Sequence, residues 1–297
     1  MNIVTRGDFD GLTSTVLLSE VESIGDVRMV HPKDAQDGKI TCDADDIVVN
    51  LPYILGCGMW FDHHVSEEKV VSHFTFKGRF EIAPSCARVI YNHYADKHAD
   101  KLKRYTELLE STDRFDCGKL TLEEVNHPSR YILLGLTLDP RSGFGPEFQK
   151  YFRWLVEYIK EVDVEKLLEH AEVKRRAARF LDEQEAFKAL LQKHVRIEDN
   201  VIVTDLRGVA EKPAGNRFIV YTLFPNANVE VRLLDGHNDT TVVAVGNSIF
   251  GTPCTVNVGR LLAEYGGGGH RGAGTAQLPA DGVNTKIAEI IARLKGR

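Results

Sequence analysis

Cysteine is scarce: Cys42, Cys57, Cys86, Cys117 and Cys254 are odd in number, scattered, and form no Cys-x-x-Cys pair. That pattern excludes a disulfide framework and a cysteine-based structural zinc site, and the five read as reduced thiols. No apolar stretch approaches the roughly 18 residues that a membrane span requires, and the chain starts directly on an apolar strand rather than on a charged-then-apolar leader. The expected location is the cytoplasm, with no membrane partner. A basic field is lacking too, because Asp and Glu outnumber Lys and Arg by 43 to 37. Long DNA is therefore not an expected partner, whereas a small anion in a local basic pocket is compatible. Internal repeats are absent, and the longest run of glycine, 266–269, lies near the C-terminus.

The 297 residues, 43% hydrophobic and 27% charged, suit a globular chain with room for two cores. In the N-terminal half, short apolar runs at 3–5, 27–30, 46–50 and 59–61 alternate with helix-like segments, which predicts an α/β fold with a doubly wound parallel sheet. Covering helices are expected over 84–94, 101–110 and 128–138, the last ending at the turn Asp139-Pro140-Arg141-Ser142-Gly143. From 146 to 194 the pattern is helical and charged, with Val164, Leu167, Leu168 and Ala171 at i, i+3, i+4, i+7 spacing. Lys174-Arg175-Arg176 has acidic neighbours on both sides and reads as a solvated face. Past Asn200, β-rich runs at 201–204, 218–224, 229–234 and 241–245 precede helices near 256–265 and 284–294, which predicts a smaller α+β domain with a mixed sheet. The expected division is a catalytic domain over 1–160, a helical connector over 161–196 and a substrate-binding domain over 197–297.

Two strand ends carry the most informative chemistry. Asp62-His63-His64 follows Met59-Trp60-Phe61, and Asp8-Phe9-Asp10-Gly11 follows the first strand. In an open α/β sheet the carboxyl ends of the strands border one crevice, so the two motifs can converge, and carboxylates with imidazole suit a divalent metal. Asp8 and Asp10 leave the strand on alternate positions, and Gly11 allows a tight turn into a helix whose first amides favour phosphate. The same composition also serves as a plain helix cap. An adjacent His pair is seldom needed for packing in a chain with 11 histidines. Asp62 can orient an imidazole through its second ring nitrogen, leaving His64 to face substrate. Asp113 is a further acid, for which a charged helix end is the competing reading. His31, Lys33 and Asp34, in the loop after the second strand, either reach the same crevice or form a solvated turn.

The segment Gly266-Gly267-Gly268-Gly269-His270-Arg271-Gly272-Ala273-Gly274 lies inside the second domain, where four successive glycines carry a large entropic cost. Close backbone approach to a ligand accounts for them, with His270 and Arg271 as phosphate donors. Arg6-Gly7-Asp8 has the form of an adhesion tripeptide, but it ends a core strand.

These elements, in this order, resemble the DHH family of phosphoesterases. Asp8-x-Asp10-Gly11 corresponds to its first motif, Asp62-His63-His64 to its name motif, Asp113 to its later acid, and Gly267-Gly268-Gly269-His270 to the signature of the DHH-associated C-terminal domain. The resemblance spans nearly the whole chain and looks most like the branch of nano-RNases and exopolyphosphatase-like proteins. It implies a manganese-dependent phosphohydrolase, with Mg2+ or Co2+ as alternatives, whose site lies between two domains. It further implies that Asp8 and Asp10 serve one metal each, that His63 and Asp113 complete the second metal's shell, and that His64, His270 and Arg271 hold phosphates. The implied reaction is hydrolysis of short 5′-phosphorylated oligoribonucleotides or linear dinucleotides such as pGpG or pApA to mononucleotides. Polyphosphate and 3′-phosphoadenosine phosphate are rival substrates, a non-catalytic nucleotide sensor is an alternative of another class, and a homodimer is compatible. Two positions depart from the family: Val4 and Arg6 stand where an additional His or Asp is usual, and Asn50 stands where a bridging Asp is usual. Loss of one negative ligand and gain of a cation would weaken one of two metal sites and make Arg6 an electrostatic clamp on the phosphate, or else His31 or Asp34 supplies a replacement ligand.

Overall fold

The computed structural model describes residues 1–138 and 144–296, so the turn expected at 139–143 lies outside the described residues. Two compact units emerge: Met1–Lys119 with Pro128–Ala177, and Leu120–His127 with Ala178–Arg297.

In the first unit, β1 (Asn2–Thr5), β2 (Val27–Met29), β3 (Asp46–Val49), β4 (Met59–Asp62) and β5 (Gly78–Phe80) form an all-parallel sheet in the order β2-β1-β3-β4-β5. The helices that follow along the chain are α1 (Phe9–Val21), α2 (Pro32–Gln36), α3 (Glu68–Val71), α4 (Cys86–Leu102), α5 (Thr106–Asp116), α6 (Leu122–Asn126), α7 (Arg130–Leu136), α8 (Pro146–Glu161), α9 (Val164–Glu169) and α10 (Ala171–His194). Of these α6 belongs to the second unit, and the boundary falls within α10.

Strand side chains alternate between two faces, and both faces are buried. Ile3, Ile47, Val49 and Phe61 enter a core shared with Leu12 and Val16 of α1, Ile90 of α4 and Phe152 of α8. Val4, Val48 and Trp60 enter a second core, with Ala35 of α2 and Val70 of α3 against it. The expected doubly wound sheet is thus present.

The second unit holds β6 (Val195–Glu198), β7 (Val201–Asp205), β8 (Val229–Asp235), β9 (Thr240–Asn247), β10 (Gly268–Gly269) and β11 (Ala273–Pro279) in the order β10-β11-β9-β8-β7-β6. Only β7 and β8 run parallel, so the sheet is mixed as expected. Val203, Val231, Leu233, Val243 and Val245 pack under Leu261 and Leu262 and under Ile287, Ile290 and Ile291. The run at 218–224, expected as a strand, is the short helix α11 (Ile219–Leu223); α12 (Val258–Ala263) and α13 (Val283–Leu294) complete the set. The Asn216 carboxamide accepts from the Phe218 amide at 3.0 Å and turns the chain into a helix, and a short apolar run has no period by which sequence alone could separate the two states. No helix among the described residues is long and apolar enough to cross a membrane.

Candidate metal centre

The strand order reverses between β1 and β3, and the chain segments leaving β1, β3 and β4 border the crevice this creates. After β1, Asp8 caps α1 by accepting from the Gly11 amide at 2.9 Å on Oδ1. A Cβ on Gly11 would stand 2.0 Å from the Arg6 carbonyl oxygen, so no side chain fits there. Asp8 Oδ1 also accepts from Asn50 Nδ2 at 3.0 Å, and Arg6 Nε lies 3.0 Å from Asp8 Oδ2. Asn50, directly after β3, has φ 55°, a conformation Asn tolerates better than most residues.

Asp10, in the first turn of α1, is 2% exposed. Its Oδ2 accepts from the Cys86 amide at 2.8 Å and its Oδ1 from the Ala87 amide at 2.9 Å, the first two amides of α4. Asp10 therefore ties α1 to the anion-favouring end of α4.

From β4 come Asp62, then His63 and His64. A carbonyl can only accept, so His63 Nδ1 donates to the Ala83 oxygen at 3.0 Å, and in the neutral ring the lone pair lies on Nε2. That nitrogen stands 3.6 Å from Asp10 Oδ2 and 3.5 Å from Asp116 Oδ2, buried and without a hydrogen-bond partner. An unpaired buried acceptor costs about 1–3 kcal/mol, and a lone pair facing two carboxylates adds repulsion. A cation among the three reverses the sign of every one of these terms. Asp10, His63 and Asp116 are one of two groups of potential ligand atoms within 4.8 Å of one another among the described residues; Asp62, His63 and His64 are the other. The imidazole and carboxylate donors fit a divalent ion.

Electrostatics point the same way. Burial, then the charge of Asp8, pushes the Asp10 carboxyl up to about 7 against the pull of the two α4 amides. Burial and the charge of Asp10 push Asp116 up to about 7 as well, opposed by His63. Crowded acids of this kind hold protons until a cation displaces them. His64 behaves differently: burial alone would lower it, but the hydrogen bond from its Nδ1 to Asp62 Oδ1 at 2.7 Å and the charge of Asp62 raise it to about 9. Neighbouring histidines thus offer a lone pair and a positive charge.

Several sequence-level expectations land elsewhere. Asp113, expected as a ligand, is not brought to the cluster. Its Oδ1 accepts from Ser85 Oγ at 2.7 Å, and its Oδ2 from Arg88 Nε and Nη2 at 2.9 and 2.5 Å. Asp116, one turn on, stands there instead, outside the motifs that mark the site in the sequence. The available signal was helical phase, since Asp116 lies seven residues after buried Leu109 and four after buried Thr112. Asp8 and Asn50 bind each other and belong to neither ligand group. His31 caps α2 by accepting from the Lys33 amide at 3.1 Å, Lys33 pairs with Asp37 and Asp34 with Lys39, so that loop is occupied locally.

In the second unit, much of the glycine run serves its own hairpin. A Cβ on Gly267 would meet the Thr275 oxygen at 2.2 Å, and one on Gly269, where φ is 148°, the Ala273 oxygen at 2.3 Å. Close backbone approach there is to β11, not to a ligand. Gly266, where φ is 76°, and Gly268 have nothing within 4 Å of an added Cβ. His270 and Arg271 are exposed, and their side chains form no ion pair or hydrogen bond among the described residues.

No protein-family model matches the chain, and no curated protein matches it either. Among solved structures, the chain is similar to the pGpG-specific phosphodiesterase PggH from Vibrio cholerae, with 32% identity and a TM-score of 0.85 over 99% of this chain and 98% of that one. It also shares its fold with an exopolyphosphatase-related protein from Bacteroides fragilis, at 13% identity and TM-score 0.60 over 98% and 91% of the two chains. A manganese-bound RecJ exonuclease aligns at 16% identity and TM-score 0.56, over 99% and 90%. With its two motifs at the ends of β1 and β4, its parallel and mixed sheets, and this identity over nearly its full length, the chain belongs to the DHH family of phosphoesterases.

Proposed function

We propose that the protein hydrolyses the phosphodiester bond of short linear dinucleotides carrying a 5′-phosphate, pGpG foremost, with a divalent metal held by Asp10, His63 and Asp116. The observation that carries the metal is His63 Nε2, buried and unpartnered between two carboxylate oxygens. Support for the substrate class is the 32% identity to a phosphodiesterase specific for pGpG. A divalent ion supplies two effects when bound, a lowered pKa of water and neutralised charge on phosphoryl oxygens. The chain's own groups do the rest. The α4 amides fix Asp10, and the Ala83 carbonyl fixes the tautomer of His63. Asp62 keeps His64 protonated at neutral pH, so His64 offers a cation to a phosphate oxygen and a proton to the ribose oxygen that leaves as the P–O bond breaks. His270 and Arg271 are further phosphate donors, and manganese, with magnesium as the alternative, is the ion. Five free cysteines suit a reducing compartment such as the cytoplasm.

The test is hydrolysis of pGpG by the purified protein with added Mn2+ and with chelator, followed by separation of products. Mononucleotide released only with metal is the expected result. Turnover indifferent to chelator would remove the metal from the reading, and binding without turnover at any metal level would replace the enzyme with a nucleotide sensor. Faster hydrolysis of polyphosphate or 3′-phosphoadenosine phosphate would reassign the substrate.

A further inference from the structure

We infer that Asp8 is the positioning residue for Arg6 rather than a metal ligand, so that the site takes a single divalent ion and uses the Arg6 guanidinium as a fixed positive charge on the substrate's phosphate. The inference rests on the metal-centre reading above and concerns what stands beside it. A carboxylate oxygen accepts about two hydrogen bonds. Asp8 Oδ1 already accepts two, from the Gly11 amide at 2.9 Å and from Asn50 Nδ2 at 3.0 Å. Its Oδ2 is paired with Arg6 Nε at 3.0 Å, and a metal ion at that oxygen would stand against the guanidinium, like charge on like charge. Asn50 is 2% exposed, and it turns a donor toward Asp8 where a ligand would have to turn a lone pair.

Arg6 has the complementary property. Its side chain is 38% exposed, and its two terminal nitrogens form no hydrogen bond or ion pair among the described residues. Held at Nε, the guanidinium presents those two donors in the fork that matches phosphate oxygens. Asp8 caps α1 two residues before Asp10, so the guanidinium paired with it is held beside the cation cluster.

Calorimetric titration with Mn2+ tests this directly, with circular dichroism as the check on folding. One ion per chain is expected in the unaltered protein and in Asp8→Asn, which keeps an acceptor for Gly11 and Asn50 but loses the ion pair. Two are expected in Arg6→Ala/Asn50→Asp, and none in His63→Ala. Asp8→Asn and Arg6→Ala should each raise KM for pGpG about tenfold, the worth of one charge-assisted contact, with a smaller change in kcat and no rescue by Arg6→Lys. Two ions in the unaltered protein, or loss of the ion in Asp8→Asn, would overturn the inference while leaving the metal centre intact. Failure of the unaltered protein to bind Mn2+ would overturn both.

Discussion

At the strand ends of the first unit, Asp62 Oδ2 and His63 Nε2 are buried without partners, and Asp10 and Asp116 are pushed up to about 7. In the glycine hairpin of the second unit the backbone is paired, the Gly267 and His270 amides donating at 2.9 and 2.7 Å, while the side chains of His270 and Arg271 stand exposed and, among the described residues, unpaired. Both regions offer groups to a ligand, but at different cost to the fold. Unpaired donors in water cost almost nothing, whereas unpaired acceptors and crowded acids away from water are destabilising until a cation arrives. The difference indicates which region depends on a ligand for its stability and which only presents donors to one.

The sharpest way to break the contrast is His63→Ala. Loss of the ion's several kcal/mol of charge stabilisation should lower pGpG hydrolysis at least about a thousandfold and abolish Mn2+ binding by calorimetry. Arg271→Ala should leave Mn2+ binding untouched and weaken substrate affinity about tenfold, as expected for one exposed phosphate contact. Equal losses of activity in the two variants would show that the regions are not separable in this way.

A second test uses pH on metal-free protein. Asp10 carries a folded-state pKa raised from 3.8 to about 7, so the folded chain binds more protons than the unfolded one between those values. The stability this contributes is fully present below about pH 4 and is lost as pH rises through 7; Asp116, raised to about 7, acts with the same sign. Across that window, thermal unfolding of the metal-free protein should therefore shift downward relative to an Asp10→Asn variant, and added Mn2+ should remove much of the shift at pH 7. Mn2+ affinity should rise over the same range, because the ligands must shed their protons. A flat difference from pH 4 to 7 would show that Asp10 titrates normally.

The parallel sheet was legible because runs such as Met59-Trp60-Phe61 are apolar on both faces, which only a doubly covered strand requires. The convergence of Asp10 with His63 was legible for the same reason, since strand ends in such a sheet border one crevice. Asp116 was not, because Asp113 and Asp116 share one helix face and only the packing of Leu109 and Thr112 decides which carboxylate reaches the cluster. Nor could the sequence show that Asp8 spends its oxygens on Gly11, Asn50 and Arg6, a matter of side-chain geometry rather than pattern. A glycine run in a folded domain suggests room for a ligand, whereas at Gly267 and Gly269 it makes room for β11.

That last distinction gives the finest test, since it separates neighbouring glycines within one strand. Gly269 has φ 148° and no space for a Cβ beside the Ala273 oxygen, so Gly269→Ala should destabilise the second unit by about 2–3 kcal/mol, read as a lowered thermal midpoint. At Gly268 an added Cβ meets nothing within 4 Å, and Gly268→Ala should change stability by no more than about 0.5 kcal/mol. Whatever Gly268→Ala does to KM is therefore free of a folding effect. A rise of a few-fold for pGpG at unchanged midpoint is expected if a phosphate approaches the backbone there, because the methyl group would occupy the position of the closest oxygen. If both KM and midpoint stay put, the whole glycine run is architecture, and recognition by this hairpin comes down to the side chains of His270 and Arg271.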